Sequence, residues 1–181
     1  DADDSWSFTT AAPVASGSVS LWSPATTPAI AAHADSNPVE LGVKFRSDMD
    51  GYITGIRFYK GATNTGTHVG SLWSSTGTRL ATATFTGETA SGWQQVNFSQ
   101  PVAIKANTTY VASYHTNTGH YAANSGYFAT KGVDSGPLHA LSGTNGVFAY
   151  GASAFPRQSY NATNYWVDVV FQSSTPIAAP V

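Results

Sequence analysis

Cysteine is absent from the chain. No disulfide can staple the fold, no thiolate can hold a metal, and no thiol can serve as a nucleophile. The structure must rest on its core, and 181 residues are enough to bury a sizeable one. Charge is scarce as well. Asp, Glu, Lys and Arg make up 10% of the residues, against about a quarter in an average domain. The formal charge of −2 gives no basic footprint, so a nucleic-acid partner is not expected. Long apolar runs are missing, so no helical membrane span is expected. Only two glutamates occur, Glu40 and Glu88, and helical periodicity is hard to find anywhere.

What fills the chain is Ser, Thr, Asn, Gly and Ala, with 13% aromatic residues. That aromatic content separates it from a disordered composition. Short runs rich in Val, Ile, Thr, Tyr, Phe and Trp recur, cut by Gly, Asn, Asp and Pro, as strands are. "VELGVKF" alternates Leu41, Val43 and Phe45 with Glu40, Gly42 and Lys44. After "SDMDG" comes "YITGIRFYK", and the two runs read as a hairpin. "THVGSLW" and "TRLATATF" flank "SSTG" as a second hairpin. "WQQVNF" follows, then "QPVAIKANTTYVASY" with a turn at Asn107, and "NYWVDVVF" closes the series as a buried strand. Strands and turns at this spacing predict an all-β sandwich or barrel.

Two ends fall outside this pattern. Residues 1–17, "DADDSWSFTTAAPVASG", read as an N-terminal arm or linker. Residues 174–181, "STPIAAPV", read as the start of a C-terminal linker. A β-sandwich module over 18–173, cut from a longer chain, is the expected parse. The Gly/Ser/Asn-rich stretch from about 123 to 160 is too long for a plain loop, so it should be functional or hold short strands of its own.

Four ordered blocks, "VELGVKFRSDMDGYITGIRFYKG", "GSLWSSTGTRLATATFTGETASGWQQVNFSQPV", "TTYVASYHTNTGHYA" and "NYWVDVVF", resemble the bacterial domain-of-unknown-function family 4082 over roughly residues 20–172. The resemblance implies a jelly-roll-like antiparallel β-sandwich. It also implies an extracellular setting, secreted or at the cell surface, within large multidomain proteins. Some of those are carbohydrate-active enzymes. It implies no established activity.

The residues suited to chemistry lie near predicted turns. "SYHTNTGHYA" sets His115 and His120 five positions apart, each beside a tyrosine. Their spacing matches no zinc signature. Trp93 and Tyr121, next to turns, are the candidate stacking platforms, while Trp73 and Trp166 in strands read as core. Sugars present C–H faces to aromatic planes and hydroxyls to paired donors and acceptors. A ligand-binding edge of Glu88, Trp93, His115, His120 and Tyr121 is therefore expected. The partners are polysaccharide and the neighbouring domains of the same chain. Structural calcium is the one cofactor to consider, with Asp35, Glu40 and Asp168 as oxygen donors. A salt bridge from Asp168 to Arg57 or Lys44 is the competing account of that buried aspartate. Glycoside hydrolysis needs two carboxyls about 5–10 Å apart; Glu88 with Asp134 is the nearest approach to such a pair, and no nucleophile elbow is present. The function expected is a non-catalytic module that binds carbohydrate. A structural spacer or adhesion module is the first alternative and a small hydrolase the second.

Overall fold

The computed structural model describes residues 17–173, and every regular element among them is a strand. In chain order these are β1 (Val39–Ser47), β2 (Gly51–Lys60), β3 (Val69–Ser74), β4 (Arg79–Thr84), β5 (Gly92–Ile104), β6 (Tyr110–Thr116), β7 (Val133–Ser135), β8 (Leu138–Ala140), β9 (Gly146–Tyr150) and β10 (Val167–Gln172). They form two antiparallel sheets. The larger runs β4-β3-β6-β1-β8-β7, with β9 also paired to β1; the smaller runs β10-β2-β5.

The strands form where β-branched and aromatic residues alternate with small or polar ones. In β1, Leu41, Val43 and Phe45 face inward, and in β2 Ile53, Ile56 and Phe58 do the same; all six join one buried cluster. Phe58 stacks on Tyr114 of β6 at 4.0 Å between ring centroids, so the two sheets meet ring to ring. Each fully buried side chain of this size contributes about 1.5–3 kcal/mol. The result is the all-β, jelly-roll-like sandwich expected from the sequence.

One pairing is corrected. β1 and β2 are not a hairpin: β1 pairs with β6 on one edge and with β9 and β8 on the other, while β2 lies between β10 and β5. "SDMDG" is a corner that carries the chain from one sheet to the other. A hairpin and a corner demand the same inward alternation, so hydrophobic pattern alone cannot separate them. The corner is held by Asp50, whose Oδ1 accepts the N–H of Ala106 at 2.8 Å. The β3–β4 hairpin is present as read, and the turn read at Asn107 joins β5 to β6, with Asn107 at φ 55°. The stretch 123–160 does contain strands of its own, β7, β8 and β9.

A strap precedes β1. Val19 exchanges backbone hydrogen bonds with Phe171 at the edge of β10, and Leu21 and Trp22 follow, both buried. Apart from Gly17, the arm assigned to 1–17 and the linker assigned to 174–181 lie outside the described residues.

Candidate functional site

The smaller sheet does not cover the whole inner face of the larger one. At the β1–β9 edge the register sets Leu41 opposite Phe148 and Val39 opposite Tyr150. These four residues line one side of a cavity of about 400 Å³. Loops supply the other side with Tyr121, Tyr165 and Thr163, and Ile30, Tyr150 and Tyr160 stand exposed at its rim.

The loops are irregular but firmly tied. Ala123 N–H donates to Ile30 O at 2.9 Å, His33 N–H to Tyr121 O at 2.8 Å, and Asn124 and Asn164 bond each other in both directions. His120 adopts φ 52°; its N–H donates to Asp35 O at 2.6 Å, and its Nδ1–H donates to His33 O at 3.1 Å. Beside it, Gly119 has φ 62°, and a Cβ there would sit 2.3 Å from Asp35 O. Only glycine permits both that backbone and that approach.

Asp35 organises the chemistry. Its Oδ2 accepts the hydroxyls of Tyr121 at 3.1 Å and Tyr150 at 2.5 Å. Its Oδ1 accepts the N–H and the amide nitrogen of Asn37 at 3.0 and 2.7 Å. Burial works to raise its pKa, but the Tyr150 hydroxyl, the Asn37 donors and the Tyr121 hydroxyl outweigh it, so the carboxyl titrates below its ordinary 3.8. Burial pushes the Tyr121 hydroxyl up, so it remains a donor. His33 stacks on Tyr121 with centroids 5.3 Å apart and planes at 10°. Its Nδ1 accepts the N–H of Asp35 at 3.3 Å, which leaves the ring proton on Nε2.

The residues singled out from sequence lie in four environments. Tyr121 lines the cavity, and His120 braces its loop from behind. Trp93 lines a different, open groove of about 580 Å³ on the outer face of the smaller sheet. There it is wedged between rings and a guanidinium: Trp22 stacks on it at 6.3 Å, Tyr59 meets it edge-on at 5.7 Å, and Arg57 lies 4.6 Å from its centre. Its Nε1–H donates to Thr26 O at 2.9 Å. Trp93 is thus half-buried against these neighbours. Glu88 is held by Lys60 Nζ and His68 Nδ1, each at 2.8 Å, and His68 Nε2 lies 2.9 Å from Asn64 Oδ1. This is a largely buried polar network. His115 is buried on the outer face of the larger sheet, where its Nε2–H donates to Gly151 O at 2.9 Å.

The three candidate calcium ligands are likewise dispersed. Glu40, opposite His115 in register, is fully buried and accepts the Ser113 hydroxyl at 2.5 Å; burial raises its pKa. Asp168 is fully buried and accepts the N–H groups of Leu21, Val169 and Trp22, with Arg57 Nη1 at 3.3 Å. Burial pushes its pKa up to about 6 against the pull of that guanidinium and those amides. This is the salt bridge that competed with calcium as the account of Asp168. Asp35 is at the cavity. No group of three or more metal-binding side chains comes together among the described residues. Glu88 and Asp134 do not form a pair either: Asp134 bonds His139 Nδ1 at 2.6 Å, on β7, the edge of the larger sheet opposite to β3 and β4.

The cavity residues that sequence reasoning passed over are His33, Phe148, Tyr150, Tyr160 and Tyr165. A signal was there: aromatic residues recur at 148, 150, 155, 160 and 165, of which all but Phe155 line the cavity, and "HAD" places His33 two residues before Asp35. The family model described as Domain of unknown function (DUF4082) matches residues 25–167, a span that holds all of these residues. No curated protein matches the chain.

Proposed function

The chain belongs to the DUF4082 family, and on that footing we propose that it is a non-catalytic module that binds carbohydrate in the cavity around Tyr121 and Asp35. The observation that carries this reading is the combination of size and lining. A space of about 400 Å³ admits a sugar residue, and rings surround it on several sides. Pyranose C–H faces pack on aromatic planes. Polar groups are few and fixed, as in small-ligand sites generally: His33 offers an Nε2–H donor, and the hydroxyls of Tyr121 and Tyr150 offer lone pairs. Nothing among the described residues resembles a pair of carboxyls poised across a glycosidic bond, since Asp35 is the one carboxylate of theirs that lines the cavity.

The reading extends to a secreted or surface-attached bacterial protein in which this module accompanies other domains. The charge-poor, hydroxyl-rich composition supports that extension. The test is co-sedimentation of the purified module with a panel of insoluble polysaccharides, comparing the parent with Tyr160→Ala. Retention of the parent on at least one glycan, and its loss in the variant, is expected. A parent that sediments with none of them would return the module to the spacer or adhesion role.

A further inference from the structure

We propose that the cavity prefers a cationic sugar, one bearing a free ammonium group in place of a ring hydroxyl, over its neutral counterparts. This rests on the carbohydrate reading of the same cavity and narrows it to a class of substrate.

Among the described residues, Asp48, Asp50, Asp134, Asp168 and Glu88 each face a Lys, Arg or His side chain within 4 Å. Glu40 and Asp35 face none. Glu40 is fully buried beneath the outer face of the larger sheet. Asp35 differs in being part-exposed at an open cavity, and all four of its donors are neutral. They satisfy its lone pairs without cancelling its charge. Among the described residues no Lys or Arg lines the cavity, and His33, which does, turns its Nδ1 to the Asp35 N–H. A buried or half-buried carboxylate without a counter-ion leaves a local negative potential, which a bound cation neutralises.

Tyr121 and Tyr150 commit their hydroxyl protons to Asp35. What remains of each hydroxyl is oxygen lone pairs, so these two groups accept and do not donate, while His33, which also lines the cavity, keeps an Nε2–H donor. An ammonium has three donors and no acceptor, and it matches the tyrosine pair. A sugar hydroxyl uses only half of its capacity at that pair. The faces of Tyr121, Tyr150, Tyr160 and Tyr165 carry negative quadrupole charge, and a cation within about 6 Å of an aromatic centre is attracted to it. Anionic sugars meet the reverse of all three conditions.

The experiment is titration calorimetry at low ionic strength with β-1,4-linked oligomers of glucose, N-acetylglucosamine and glucosamine of equal length. These differ only at C2. The glucosamine oligomer is expected to bind roughly tenfold more tightly than the other two, in line with a partly desolvated cation–π and charge contact. The preference should shrink as salt is added. Asp35→Asn should erase it, bringing the glucosamine oligomer to the affinity that the same variant shows for the neutral ones. Tyr150→Phe, at a side chain 52% exposed that the fold does not need, should lower it several-fold while keeping the ring. Equal affinity for the three oligomers, or a preference that survives Asp35→Asn, would overturn the inference and leave the carbohydrate reading standing. If no oligomer binds but tetramethylammonium does, the carbohydrate reading falls and the cation site stands. If no probe binds, both fall.

Discussion

Trp22 donates its backbone N–H to the buried carboxylate of Asp168 at 3.2 Å. With the N–H of Leu21 at 2.7 Å, this contact fixes the strap to the outer face of the smaller sheet, where Arg57 completes the pairing. Asp168→Ala leaves a guanidinium buried without its carboxylate, holding only Trp22 O and the Trp93 ring, and two strap amides without acceptors. A loss of about 3–5 kcal/mol is expected, as for other buried pairs cut on one side. Urea unfolding measures it, and a change within about 0.5 kcal/mol, the range of an ordinary surface substitution, would contradict this account.

A second relationship is pH-dependent. His139 lies between Asp134 and Asp48, each at 2.6 Å. The hydrogen bonds to Asp134 and then Asp48 raise the His139 pKa above 6.5, and the bond to His139 in turn lowers that of Asp48 below 3.8. For a raised histidine, the contribution is complete below 6.5 and fades as pH rises through the folded value. For a lowered aspartate, it is complete above 3.8 and fades as pH falls through the folded value. Full strength therefore spans 3.8 to 6.5. Asp168 also adds stability as pH falls, but from about 6 downward. The difference in melting temperature between the parent and His139→Gln isolates the pair. It should be largest near pH 5 and close as pH rises; a difference that widens toward alkaline pH would refute the assignment.

Metal enters the stability account only if carboxylates converge, and Asp35, Glu40 and Asp168 do not. Asp35 and Asp168 are occupied by N–H and O–H donors, and Glu40 holds the Ser113 hydroxyl on Oε1 alone. Exhaustive chelation is expected to leave the melting temperature unchanged. A fall that calcium reverses would show a site built in some other way.

Tyr121 has two roles that substitution can separate. It is buried, and its hydroxyl is one of the two tyrosine donors to Asp35. Tyr121→Phe should cost about 1 kcal/mol of stability, the value of one hydrogen bond, and keep the stacking ring. Tyr121→Ala should cost several times more, roughly 3–5 kcal/mol, because it opens a void in the core. Differential unfolding of the two variants checks the order. If the alanine variant were as stable as the phenylalanine one, Tyr121 would not be a packed wall.

The strands were legible because period-two alternation and turn residues leave local marks, as in β3, β4 and the turn at Asn107. The corner between β1 and β2 was not, since the same alternation serves a hairpin. Tyr121 stood out by its place next to a turn, and Asp35 as a candidate calcium ligand, but nothing local reports that a tyrosine 86 residues away will bond that aspartate. Trp93 shows the converse. Beside a turn it has the sequence look of a platform, and the structure sets it half-buried against Trp22, Tyr59 and Arg57 in a groove separate from the cavity. Which rings stay open depends on where distant segments pack, and a pattern read along the chain contains no such distances.

The central claim is that the cavity beside Asp35 binds carbohydrate, and Tyr160 tests it most directly. Its side chain stands at the rim and is 62% exposed, so its removal should spare the fold. Affinity for a polysaccharide retained by the parent should fall by about five- to hundredfold in Tyr160→Ala, the loss of an aromatic anchor worth roughly 1–3 kcal/mol, with the melting temperature unchanged. Undiminished binding by a folded Tyr160→Ala would contradict the account.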